Sequence, residues 1–130
     1  MENIQVPVSP GEVLDKITIL EIKSERIEDP AKLVNVRIEL KLLSEAWASA
    51  ITEDETIRAL HADLKGVNED LWEIEDDIRD KELAKEFDDE FIRLARAVYI
   101  TNDRRGAVKK KINLHLGSEI VEEKSYKDYT

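Results

Sequence analysis

A polar interruption in an otherwise apolar helix line is the feature of this sequence most open to chemistry. Between Tyr99 and Leu116, the residues Asn102, Arg105 and Lys109 fall on the same helical line as the apolar residues on either side. A buried arginine or lysine carries a large desolvation penalty, so these side chains must meet carboxylates, water or an anionic ligand. The sequence therefore predicts either an anion site or a polar network at the rim of a helical bundle.

Acidic side chains on other helices are the expected partners of these cations. Glu21 and Glu28 lie near the inner edge of the first predicted helix, and Glu75 and Asp77 flank the apolar line of the third. Trp72 lies beside Glu75 and could close a ligand pocket, but a contact with a second subunit or with the tail is the favoured alternative, and the same alternatives apply to Tyr99. The predicted ligand-binding set is Asn102, Arg105, Lys109, Glu21, Glu75, Asp77, Arg79 and Trp72. Gly106 also weakens this helix, which is more easily explained if another group approaches its backbone closely.

Metal and nucleophile chemistry receive less support. Glu73 and Asp76, like Glu25 and Glu28, have a spacing that could serve a divalent metal ion. Such pairs arise readily by chance among 30 acidic residues, and no nucleophile pattern accompanies either histidine. We therefore predict no metal and no cofactor.

Composition limits the class of protein. The 130 residues suffice for one domain, residues 1–130, with a single modest core. The net charge of -10 argues against binding of nucleic acid or an anionic membrane through bulk electrostatics. There is no cysteine, no signal-like start and no apolar run long enough to span a membrane. The simplest expectation is a cytoplasmic protein.

Capping residues mark four helix starts. Ser9 followed by Pro10, and Asp29 followed by Pro30, are typical of N-termini, and Thr52 and Asp88 are the other expected caps. The sequence predicts an all-α antiparallel bundle of four helices, over residues 10–28, 30–50, 53–85 and 89–116, with a C-terminal tail over 117–130.

Apolar spacing predicts how the helices pack. The second and third helices share a three-four alternation that favours an antiparallel hairpin between them. The predicted core consists of Leu40, Leu43, Leu64, Leu71, Ile74, Leu94 and Val98.

Two apolar features lie outside this scheme. Ile19 and Ile22 project away from the main line of the first helix, so a terminal segment or a second subunit is expected to cover them. Ile4, Val6 and Val8 alternate like a strand and could pair with the tail, whose tyrosines could otherwise pack on the bundle.

Long stretches of the chain resemble a known family. The segments VPVSPGEVLDKITILEIK, LWEIEDDIR, VYITNDRRGAVKKKIN and EKSY together resemble a bacterial family catalogued as domain of unknown function 6165. The similarity extends over nearly the whole chain. It implies a context, because members tend to occur beside or fused to proteins of surface-polysaccharide and glycosyl-transfer pathways. It implies no catalytic residue, because none is established for the family.

Three functions remain open. The first is a binding module for an anionic or phosphorylated small molecule, with Arg105 and Lys109 as counter-charges and Asn102 as an orienting group. The second is a protein-interaction or assembly module, as a homodimer or with another protein, that has no small-molecule site. The third is a small helical enzyme that uses the arginine, lysine and glutamate charges, similar to chorismate mutases in architecture only.

Overall fold

The structure is a computed structural model that describes residues 1–130 and contains helices but no strands. The predicted helices are confirmed, with every end within two residues of its expected position. None of them is both long enough and apolar enough to cross a membrane. The helices are α1 (Pro10–Arg26), α2 (Pro30–Ala50), α3 (Glu55–Ala84) and α4 (Asp89–His115).

The helix N-termini follow the capping residues closely. The side chains of Ser9, Asp29 and Asp88 each accept a hydrogen bond from a main-chain amide in the first turn, as expected. The prediction was wrong for α3, where Asp54 is the cap and Thr52 lies in the linker. The Asp54 carboxylate accepts from a first-turn amide at 2.8 Å, and its charge is favourable beside the helix N-terminus.

The central helix of the bundle is α1, which packs against all three others. The predicted hairpin of α2 with α3 is wrong, since α2 makes close backbone contact with α1 only. Instead α3 and α4, joined by a short turn, form the most extensive helix pair. The reason lies in α1, whose two apolar sides allow it to fill the space between α2 and the α3–α4 pair.

The second apolar side of α1 is covered inside the chain. Ile22 is only 1% exposed, and together with Ile19 it lines a cavity shared with Leu71 and Trp72 of α3. The expectation that a terminal segment or second subunit covers Ile22 is therefore wrong, whereas Ile19 is only half-buried in the wall of this cavity. The large apolar side chains left exposed on a helix line are instead Val34, Ile38 and Leu42 of α2.

The core is centred on α1 rather than on α3. Of the predicted core residues, Leu64 and Leu94 are fully buried, whereas Leu71 and Ile74 are only half-buried. A helix as long as α3 spans about 45 Å against about 26 Å for α1, so its last turns have only α4 beside them. The main cluster of buried side chains consists of Leu14, Ile17, Trp47, Ile57, Leu64 and Ile112.

The terminal segments do not pair with each other. Neither residues 1–9 nor the tail after α4 forms a strand, and no backbone hydrogen bond joins the two. The predicted pairing is therefore wrong. The tail lies along α4 instead, where its polar side chains find partners.

Candidate functional site

The two cations inside the apolar line of α4 face carboxylates near the start of α1. The guanidinium of Arg105 binds both oxygens of Asp15, with 2.8 Å between Nε and Oδ1. Lys109 Nζ lies 2.7 Å from the carboxylate of Glu12. We call these two contacts the α1–α4 ion pairs. The expected partners Glu21, Glu28, Glu75 and Asp77 were wrong, because the crossing of α1 and α4 brings the first two turns of α1 nearest to these cations.

Asp15 is a buried charge whose hydrogen-bonding capacity is used inside the protein. It is 1% exposed, and besides Arg105 it accepts a hydrogen bond from Asn68 Nδ2 at 3.0 Å. Asn68 also donates to Thr18 at 2.9 Å. Burial opposes ionisation of Asp15, but the hydrogen bonds from Arg105 and Asn68 and the charge of Arg105 outweigh it and hold the pKa below its ordinary value. Asp15 is therefore a carboxylate that depends on Arg105.

The close crossing of α1 and α4 depends on a glycine. The amide of Gly11 donates to the side-chain oxygen of Asn113 at 2.7 Å, so a residue of α4 satisfies one free amide at the α1 N-terminus. A Cβ atom at Gly11 would lie 2.5 Å from the main-chain oxygen of Lys109. This tight packing is what brings Glu12 within reach of Lys109.

Four of the predicted ligand-binding residues lie together. Trp72, Glu75, Asn102 and Arg105 line one cavity of about 270 Å³, with Ile19 among its apolar walls. The structure therefore places this half of the predicted set around a single space between α1, α3 and α4.

The other four predicted residues lie elsewhere. Glu21 binds His61 at 2.7 Å beside a separate groove, and Asp77 is exposed on α3. Arg79 binds Glu75 along the surface of α3, and Lys109 lies one turn beyond Arg105. Spacing along single helices did not reveal these separations, because they depend on how the helices cross.

The acidic pairs considered for a metal ion meet cations instead. Glu73 lies 3.5 Å from Arg26, and Glu25 binds Lys65. No group of three or more histidine or acidic side chains converges in a way that could hold a metal ion.

The tail runs back along α4, held by charges. Lys109 of α4 lies with its Nζ 3.1 Å from Glu122 of the tail. Because the same Nζ binds Glu12 of α1, this lysine connects the tail to both helices. Burial disfavours the charge of Lys109, but its hydrogen bonds to Glu12 and Glu122 outweigh this and raise its pKa. The side chain of Lys124 lies across Gly106, where a Cβ atom would be 3.1 Å from Lys124 Nζ. The close approach that Gly106 suggested is therefore made by the tail of the chain itself.

A groove between α4 and the tail holds the largest cavity of the site. Its volume is about 700 Å³, and the hydroxyl of Tyr129 closes one end by donating to Asp103. This hydrogen bond raises the pKa of Tyr129 to about 12. We call this space the tail groove; its lining residues are Val98, Tyr99, Asn102, Asp103, Arg105, Lys124, Tyr126, Lys127 and Tyr129.

The lining of the tail groove holds more cations than carboxylates, although one of these cations, Arg105, is already paired with Asp15. It carries the cations Arg105, Lys124 and Lys127 against the single carboxylate of Asp103, whereas the whole chain carries -10. Local cation density of this kind attracts anions even when the net charge repels them. The groove is therefore suited chemically to an anionic group.

Sequence reasoning found one edge of this groove and missed the rest. Asn102 and Arg105 were predicted, but Tyr99, Asp103 and Gly106 form the neighbouring helical line, which the apolar pattern does not mark. The spacing of four and three residues between Tyr99, Asp103 and Gly106 could have indicated that they share one face of α4. The tyrosines of the tail suggested that it could pack on the bundle, but no local signal indicated this face of α4.

Comparison with known proteins identifies a family but no function. The profile of a family described as "Family of unknown function (DUF6165)" matches residues 4–129, nearly the whole chain. The search of curated proteins and the search of solved structures found no match.

Proposed function

We propose that this chain, which belongs to the family of unknown function DUF6165, is a binding module for an anionic or phosphorylated small molecule. The observation that carries the proposal is the tail groove, about 700 Å³ in volume, with three cations against one carboxylate. Ligand sites in proteins have volumes of this order and use a few placed polar groups for specificity. The family resemblance adds a context of glycosyl transfer, so sugar phosphates are the first ligands to test.

The cations in and beside the groove differ in how far carboxylates of the protein already occupy them. Arg105 uses Nε and Nη2 on Asp15, which leaves Nη1, 3.5 Å from the side-chain oxygen of Asn102, outside the Asp15 contact. Lys124 and Lys127 have no carboxylate within ion-pair distance, so their ammonium groups are free to bind an anion. Lys109, by contrast, is occupied by Glu12 and Glu122 and serves to hold the tail in place.

Titration calorimetry with glucose 1-phosphate, ribose 5-phosphate and citrate, with glucose as the uncharged control, tests the proposal. At least one anion should bind, and the double variant Lys124→Gln with Lys127→Gln should weaken it by about tenfold or more, as expected for losing two charge-assisted contacts. The matched control, Lys32→Gln with Lys41→Gln on the exposed surface of α2, should bind as wild type does. If no anion binds, or if both double variants lose affinity equally, the proposal is wrong.

A second candidate function is self-association through α2. Val34, Ile38 and Leu42 form an exposed apolar row at intervals of four residues, on the face opposite the buried Val36 and Trp47. Such a row can pack against an identical row of a second copy. Sedimentation equilibrium of wild type and Ile38→Glu tests this: an oligomer that the substitution converts to a folded monomer supports the candidate, and a monomeric wild type at high concentration rules it out.

A further inference from the structure

Three tyrosines stand beside the cations of the tail groove. The rings of Tyr99 and Tyr129 meet edge to face with centroids 5.1 Å apart, and Lys124 Nζ lies 6.0 Å from the ring centroid of Tyr126. Tyr126 is 80% exposed, so almost its whole ring is available for contact. All three tyrosines of the chain line this one groove. An aromatic surface next to cations suits a ligand that has both a planar ring and an anionic group.

Two further side chains in the groove can bind hydroxyl groups. Asn102 offers an amide, and Asp103 offers a carboxylate of which one oxygen accepts the hydroxyl of Tyr129. A carboxylate accepts several hydrogen bonds, so Asp103 retains capacity for hydroxyl donors. Both residues follow Tyr99 by one turn of α4, which places them between the tyrosine pair and Arg105 along the helix.

We infer that the tail groove binds a nucleoside phosphate. This inference rests on the proposed function and names the class of ligand. Lys124, Lys127 and Arg105 hold the phosphate. Asp103 accepts hydrogen bonds from the ribose hydroxyls, and the amide of Asn102 can donate to them or accept from them. The base stacks on Tyr126, since every base has a π-face and aromatic stacking tolerates different bases.

Charge explains why the ligand is a single nucleotide rather than a nucleic acid. A polymer would bring many phosphates against a chain of net charge -10, while the groove supplies only three cations. A nucleoside monophosphate carries few enough charges for those cations to neutralise.

Titration calorimetry with adenosine 5′-monophosphate, uridine 5′-monophosphate, ribose 5-phosphate and adenosine tests the inference. Both nucleotides should bind about tenfold more tightly than ribose 5-phosphate, in the range that stacking one base provides. Tyr126→Ala should remove that advantage and leave the affinity for ribose 5-phosphate unchanged. Tyr126→Phe, which keeps the ring, should retain it. Because Tyr126 is exposed, neither substitution should disturb folding, which circular dichroism checks.

The failures of the two proposals are distinguishable. If ribose 5-phosphate binds as tightly as the nucleotides, the ligand class is wrong while phosphate binding stands. If Tyr126→Ala weakens all phosphates equally, the base does not stack on this ring and the inference is wrong. If no phosphate binds, or if adenosine binds as tightly as its monophosphate, the inference is wrong. The proposed function is wrong as well only if citrate also fails to bind.

Discussion

The ion pair of Asp15 and Arg105 shows how one residue can belong to the scaffold and to a site. Asp15 is almost completely buried, while Arg105 reaches from it to the tail groove. Replacing a buried pair by apolar residues is often neutral, whereas removing one partner leaves an uncompensated charge. The proposed affinity of the tail groove for an anion and the stability of the fold are therefore linked at Arg105.

Substitution of Arg105 by leucine should destabilise the fold. It strands the Asp15 carboxylate, which we expect to cost about 3–5 kcal/mol in the free energy of unfolding. Urea denaturation measures this. The double variant Asp15→Leu with Arg105→Leu should recover most of the loss, because no unpaired charge remains. A loss below about 1 kcal/mol for the single variant would show that Asp15 finds another partner.

The pair of His61 and Glu21 should make stability depend on pH. The hydrogen bond to Glu21 raises the pKa of His61 above 6.5 despite partial burial. A group whose pKa is raised by folding stabilises the fold when it is protonated. This contribution is present in full below the pKa of the unfolded state and is lost as the pH rises through the pKa of the folded state. The free energy of unfolding should therefore fall as the pH rises above the ordinary histidine value of about 6.5 and through the higher pKa of folded His61.

The variant His61→Gln provides the control for this pH dependence. It removes the titrating group and keeps His115, so its stability should change less than that of wild type over the same range. Equal pH dependence in the two proteins would show that His61 does not contribute.

At the scale of the helices, the bundle depends on how closely α1 and α4 approach. The contact of Gly11 with the backbone of Lys109 leaves no room for a side chain, in contrast to Gly66 of α3, which has open space around it. Gly11 in the first turn of α1 and Gly66 in the interior of α3 thus have different tertiary roles.

Alanine at these two glycines should have opposite effects. Gly11→Ala places a Cβ atom against a main-chain oxygen and should destabilise by about 1–3 kcal/mol, as overpacking does. Gly66→Ala should stabilise by about 0.5–1 kcal/mol, because alanine loses less entropy than glycine on entering a helix. Thermal unfolding of both variants measures the difference. A stabilised Gly11→Ala variant would mean that α1 can move away from α4 without cost.

At the scale of the whole molecule, one short helix organises three longer ones. The buried cluster joins α1 to the C-terminal half of α2, the first half of α3 and the end of α4. The second half of α3 lies outside this cluster and has fewer neighbours. Stability should therefore be concentrated at one end of the bundle.

Alanine substitutions of leucines in α3 and α4 should show where the stability of the bundle is concentrated. Leu64 is fully buried, so Leu64→Ala should cost about 2–5 kcal/mol through lost contacts and the cavity that remains. Leu71→Ala should cost less, because Leu71 is half-buried and already lines a cavity. Leu114→Ala, at an exposed position of α4, should stay within about 0.5 kcal/mol of wild type. Equal losses at Leu64 and Leu71 would place the centre of the core further along α3.

Sequence alone determined the features that depend on neighbouring residues. The four helices, and the caps at Ser9, Asp29 and Asp88, follow from apolar spacing and from side chains that bind first-turn amides a few residues away. Family membership follows in the same way, because motifs are contiguous stretches of chain. The polar break at Arg105 and Lys109 was also visible, since helical periodicity places both residues on an apolar line.

The tertiary structure decided which of these elements meet. From its apolar spacing, α2 could pack equally well against α1 or α3. It packs against α1 because α1 has two apolar sides, one for α2 and the other for the α3–α4 pair. In the same way, an arginine on an inward line can pair with any of several carboxylates, and the crossing of α1 over α4 selects Asp15. The tail groove depends on a segment without periodicity that docks through Glu122, Lys124 and Tyr129. Such choices are differences in free energy between long-range contacts, which no local pattern encodes.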